Sequence, residues 1–96
     1  MKLRPHPVSY NGQPLAADEF AFTHSAAGID GLVYHCRGNP PRPRMCRIAI
    51  RLGKPEDGVH GWDGNLQKPT ITPSVGCDAR PGCKWHGQIV KGDWTP

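Results

Sequence analysis

No stretch of this chain comes near the roughly 20 consecutive apolar residues that a membrane-spanning helix needs, which points to a soluble protein. Secretion is not expected, because Pro5, His6 and Pro7 follow Lys2 and Arg4 where a secretory leader carries an apolar run of about 7 to 15 residues. The expected compartment is the bacterial host cytoplasm. Helix-forming sequence is scarce as well. Twelve Gly and eleven Pro are spread along 96 residues, and Leu15 to Ala27 is the longest gap free of both. Glutamate is almost absent. Glu19 and Glu56 are the only two, neither in a motif with histidine, so the acid-base pairing of a hydrolase is not evident.

Three Trp, two Tyr and two Phe, together with Val/Ile-rich runs, supply burial that a disordered chain lacks. One small domain over residues 1–96 is expected, loop-rich and all-β. Residues 1–13 read as an extended arm and 20–94 as the core. Pro14 to Phe20 admits one helical turn at most, near residues 15–20, with proline at its start. Phe20 to Thr23 reads as a short strand before a loop from Ser25 to Gly31.

The clearest pattern lies in the middle. Leu32 to Cys36 has strand propensity, and Cys46 to Leu52 alternates at period two, with Cys46, Ile48, Ile50 and Leu52 on one face and Arg47, Ala49 and Arg51 on the other. The two should pair as a hairpin. Asp63-Gly64 carries the signature of a tight primed turn. Thr70 to Val75 reads as a strand whose Pro69 and Pro73 lack ladder donors, placing it at an edge or a bulge. Trp85 to Val90 with a turn at Lys91 to Asp93 forms the closing hairpin.

Four cysteines in a short chain without a leader are read as metal ligands in preference to disulfides. Cys83 and His86 are two residues apart, a spacing that aims both at one ion. Cys36 and Cys46 end one long loop that a metal would close. The expectation is one structural Zn²⁺ held by Cys36, Cys46, Cys83 and His86, pinning two β-hairpins together. Cys77 is the alternative fourth ligand in an all-thiolate site. Cys83 and His86 also resemble half of a Rieske iron-sulfur site, but no upstream Cys-x-His pair completes it. A full zinc shell leaves no open position for activating water.

The net charge of +4 permits contact with nucleic acid without requiring it. Arg42, Arg44, Arg47 and Arg51 lie in one hairpin and are the candidate phosphate contacts. The bland reading is a solvated hairpin face. Trp62, Trp85 and Trp94 read first as lids on a small core and second as a stacking platform.

Four segments together resemble a family of small phage and prophage proteins that often carry the label phage ammonia monooxygenase. They are Leu32 to Cys36, Trp62 to Asn65, Pro69 to Val75, and Cys83 to Gly87 followed by Gly92 and Trp94. The resemblance covers about Phe20 to Trp94. It implies that Cys36, Cys46, Cys83 and His86 occupy ligand positions, although the family has a compact Cys-x-x-Cys knuckle where this chain has Arg37 to Met45. The expected function is a non-enzymatic phage or prophage accessory protein, a zinc-stabilised module that binds a host or phage protein. The alternatives are a nucleic-acid-binding zinc module and a small metalloenzyme or Rieske-like redox protein.

Overall fold

The computed structural model describes residues 2–16, 18–36, 46–77 and 85–95, apart from the side chains of residues 36, 46, 55, 76, 77, 85 and 86. It is all-β, as the breaker-rich sequence requires. Among the described residues, two four-stranded sheets hold eight strands.

The first sheet runs β1 (Arg4–Pro5), β2 (Glu19–Ser25), β3 (Gly28–Cys36) and β4 (Cys46–Arg51) in spatial order. The central pair is the expected one. Strands β3 and β4 are antiparallel from Gly31↔Arg51 to Cys36↔Cys46, and Arg47, Ala49 and Arg51 are exposed while Ile48, Ile50 and Leu52 are half-buried. The period-two pattern specifies this register, because a one-residue slip would turn Ile48 and Ile50 outward. The loop expected from Ser25 to Gly31 is instead a two-residue turn. Ser25 pairs with Gly28, and the β2–β3 ladder runs from there to Phe20↔Tyr34. Gly28, at φ +115°, supplies the conformation that lets the chain reverse so tightly.

The second sheet runs β5 (Gly61–Trp62), β6 (Ile71–Cys77), β7 (Trp85–Val90) and β8 (Asp93–Thr95). Lys91 and Gly92 connect β7 to β8 with φ of 50° and 74°, the doubly positive pair of a primed hairpin turn. The turn expected at Asp63-Gly64 is part of a longer loop, because the β5–β6 pairing begins only at Trp62↔Ile71. Its shape is held by Asp63, whose Oδ1 accepts the amides of Asn65 at 3.0 Å and Thr70 at 3.2 Å. The expected bulge in β6 is present as a shift in the β6–β7 register between Ile71 and Val75.

Near residues 15–20, where at most one helical turn was expected, the Glu19 amide donates to Ala16 O at 3.0 Å just before β2 opens, and a 3₁₀ turn spans Pro55–Asp57. The two sheets also meet directly. Phe20, Phe22, Leu32 and Tyr34 from one sheet share a buried cluster with Ile71, Val75, Ile89 and Trp94 from the other. Each such side chain contributes about 1.5 to 3 kcal/mol on burial, so the sheets hold each other through apolar contact. The segment expected as an extended arm joins them. Leu3 is buried in the cluster, its amide donates to Gly92 O at 2.8 Å, and Arg4–Pro5 pairs in parallel with β2.

Candidate functional site

The cysteine set falls largely outside the described residues. Cys83 lies there entirely, as do the side chains of Cys36, Cys46, Cys77 and His86. Their backbones are informative. Cys36 stands directly across from Cys46, Cys77 across from Trp85, and Gly76 across from His86. Among the described residues, no group of three or more His, Cys, Asp or Glu is placed to hold a metal.

The arginine hairpin is described only in part. Arg42 and Arg44 lie outside the described residues, and Arg51 is exposed. Arg47 donates from Nη1 to the Tyr10 hydroxyl and sits 5.6 Å from the centre of its ring. That guanidinium is engaged within the molecule. The tryptophans follow the first reading: Trp94 is buried and Trp62 packs on the core, its ring 5.0 Å from Phe22, while the side chain of Trp85 lies outside the described residues.

Three serines are present, Ser9, Ser25 and Ser74, and their surroundings separate them. Ser25 Oγ serves its own turn, accepting from Ala27 N at 3.2 Å and donating to Gly28 O at 3.4 Å. Ser9 lies in a loop, where its carbonyl accepts from the Gln13 side chain. Ser74 sits on β6, exposed, within the displaced register between Ile71 and Val75. An imidazole reaches it: His60 Nε2 is 3.3 Å from the Ser74 carbonyl oxygen.

The fold fixes that imidazole from behind. The His60 amide donates to Arg51 O at 3.0 Å, its carbonyl accepts from Gly53 N at 2.8 Å, and Leu52 and His60 form a parallel bridge. His60 therefore hangs from the end of β4 in the first sheet and contacts β6 in the second. A carbonyl oxygen only accepts, so Nε2 is the donor in this arrangement. Among the described residues no carboxylate hydrogen-bonds His60.

A groove of about 370 Å³ opens beside this contact, lined by Gly53, Lys54, Gly61, Trp62, Asp63, Thr70 and Thr72. Trp62 is its rigid wall, because the indole Nε1 donates to Asn65 O at 3.0 Å while the ring leans on Phe22.

A second histidine has the carboxylate partner that His60 lacks. His6 Nδ1 lies 3.0 Å from Oε2 of the buried Glu19, which also accepts the Ala16 amide at 2.7 Å and meets Arg4 at 3.4 Å. The Ala16 amide and then His6 hold the Glu19 carboxyl below its usual range. Among the described residues no serine is hydrogen-bonded to this pair, whose effect is to fasten the first residues to β2. The motif reading missed it because its members are 13 residues apart. His35 is a third distinct imidazole. Burial, and then the charge of Arg47, push its pKa down.

Residues 8–96 match the profile of the family described as "Bacterial ubiquitination-like system serine protease (BubE)". No curated protein and no solved structure matches the chain. The match overturns the expectation of a non-enzymatic phage or prophage accessory module and, with it, the nucleic-acid-binding and metalloenzyme or redox alternatives. It also replaces the phage and ammonia monooxygenase description and the zinc-ribbon vocabulary with a protease of a bacterial system. The error had a physical source: activation of an attacking group was sought at a metal or beside a glutamate, and serine was never weighed as a nucleophile. Matching over 89 of its 96 residues, the chain belongs to the BubE family of serine proteases from bacterial ubiquitination-like systems.

Proposed function

We propose that this chain cleaves amide bonds in the tail of a ubiquitin-like protein or its conjugates, with Ser74 as the nucleophile and a histidine beside it as the general base. The observation that carries this reading is the 3.3 Å approach of His60 Nε2 to the main chain of Ser74. No other serine among the described residues is hydrogen-bonded to an imidazole. In the reaction Ser74 Oγ adds to the substrate carbonyl and gives its proton to the imidazole. The C–N bond then breaks, the imidazolium protonates the leaving amine, and water releases the acyl group by the same sequence.

His60 takes the role of base once its ring turns from the carbonyl and presents its unprotonated nitrogen to Oγ, a tightening that substrate binding commonly brings about. His86 is the rival base, favoured by its register opposite Gly76, two residues along β6 from Ser74. A fluorophosphonate, which captures activated serine hydroxyls, tests the assignment. Labelling is expected on Ser74, absent in Ser74→Ala, and about 10²- to 10⁴-fold slower in His60→Ala. A label on Ser9 or Ser25 overturns the nucleophile. Loss in His86→Ala with retention in His60→Ala transfers the base to His86.

Zinc belongs to this proposal only as a structural ion. The directly opposed Cys36 and Cys46 support a thiolate pair at the end of β3 and β4, joined by Cys83 and by Cys77 or His86. Catalysis by Ser74 needs no metal. Protein partners of the ubiquitination-like pathway replace the host or phage partner expected earlier.

A further inference from the structure

Strand β6 is longer than the neighbour that covers it. It spans seven residues, Ile71 to Cys77, yet β5 pairs only with the first two, at Gly61↔Thr72 and Trp62↔Ile71. Past Thr72, among the described residues, no strand pairs with β6 on the β5 side, and Ser74 lies in that uncovered stretch. The Trp62 groove begins where the coverage ends, since Thr72 lines it two residues before Ser74.

A substrate lying along this edge brings its main chain beside Ser74. Apart from the Pro73 nitrogen, which has no proton to give, and the Ser74 carbonyl, which His60 occupies, the main-chain groups of a strand edge that no described strand covers match those of an extended peptide, independent of its side chains. A folded helix or a tight turn has already spent those groups on itself. Resting on the assignment of Ser74, we infer that the substrate is an unstructured polypeptide tail that adds to the free edge of β6 as an extra strand. One of its side chains enters the groove between Trp62 and Thr72. The edge supplies affinity and register, and the groove supplies sequence preference. Because Trp62 is held by Asn65 and Phe22 before anything binds, the groove selects its occupant with little ordering cost.

Two classes of covalent probe separate this inference from the one beneath it. The small fluorophosphonate reads only whether Ser74 is activated; failure there removes the catalytic assignment. A mixture of hexapeptidyl phosphonates with randomised side chains reads the edge. Their second-order labelling of Ser74 should exceed that of a single-residue phosphonate by about tenfold or more, the equivalent of one to two net hydrogen bonds. In an antiparallel pair only alternate residues exchange bonds with the neighbour. N-methylation at every second amide should therefore abolish the gain, and methylation at the intervening amides should leave it within about twofold. Thr72→Arg, which fills the groove from an exposed position, should reduce the gain, whereas Thr72→Ser should keep it. Normal labelling by the small probe with no gain from any hexapeptide overturns the inference, as does equal loss at every methylated position.

Discussion

Replacing Gly31 with alanine tests whether the central sheet is as tightly closed as its geometry requires. Gly31 is buried on β3 between Thr23 of β2 and Arg51 of β4. A Cβ there would lie 2.5 Å from Thr23 Oγ1 and 2.8 Å from the carbonyl oxygen of Ile50, both inside any contact a methyl tolerates. Neither neighbour yields freely. Thr23 Oγ1 is committed to Asp30 Oδ1 at 2.6 Å, and the Ile50 oxygen belongs to the main chain of β4. Without these clashes Gly31→Ala would stabilise the fold by about 0.4 to 1 kcal/mol, by narrowing the unfolded ensemble. Overpacking of this kind costs about 1 to 3 kcal/mol, so the net effect is a loss of about 1 to 2 kcal/mol. At roughly 4 to 8 °C per kcal/mol for a domain of this size, the melting point should fall by about 5 to 15 °C. Thermal and urea melts read it directly. Thr23→Ala in the same chain removes the nearer clash and should recover part of the loss, leaving the share due to Ile50. A variant as stable as its parent would refute the reasoning. The perturbation also reaches the site, because β4 ends at the residues that clamp His60. Fluorophosphonate labelling should slow at temperatures where the variant is still fully folded.

Two further outcomes concern the ends of the fold. Glu19 is held ionised by the Ala16 amide and by His6, so its contribution to stability is complete above the ordinary carboxylate value of about 4.3 and is lost as pH falls through the lower folded value. Glu19→Gln should lower the urea midpoint at pH 7, and the gap from the parent should close as both are taken to pH 3; a gap that stays constant contradicts the pairing. For the proposed zinc, metal analysis of the reduced protein should find about one ion per chain, lost in Cys46→Ser with a fall in melting temperature. A metal-free chain that melts cooperatively in excess chelator rejects it. Comparing Cys77→Ser with His86→Ala identifies the fourth ligand.

Local pattern was a good guide wherever the cause was local. The alternation from Cys46 to Leu52 requires one solvent face and one core face, and that requirement holds its register against β3. Lys91-Gly92 and the displaced ladder around Pro73 likewise follow from single residues whose backbone has few options. What sequence could not show are contacts whose members are distant. The parallel pairing of Arg4–Pro5 with β2 and the bonding of Glu19 to His6 depend on how two sheets close over Phe20 and Leu3. The bridge from Leu52 to His60 is of the same kind. Catalytic groups of serine hydrolases are recognised by geometry and not by spacing, which is why Ser74 and His60, 14 residues apart, formed no motif.

One signal was present and read too narrowly. Pro73 has no amide to give, so β6 could not be a fully laddered central strand, and the inference of an edge or a bulge was sound. An exposed serine directly after that proline therefore sits where main-chain hydrogen bonding to a neighbour has lapsed. In a strand that serves only the fold, such a lapse is a liability, because an open edge recruits other chains. In a protease the same recruitment is the first step of the reaction, provided that the arriving chain meets a nucleophile. On the proposed assignment, Ser74 next to Pro73 supplies both conditions within two residues, and the groove at Trp62 gives the arriving chain a reason to stop in one register.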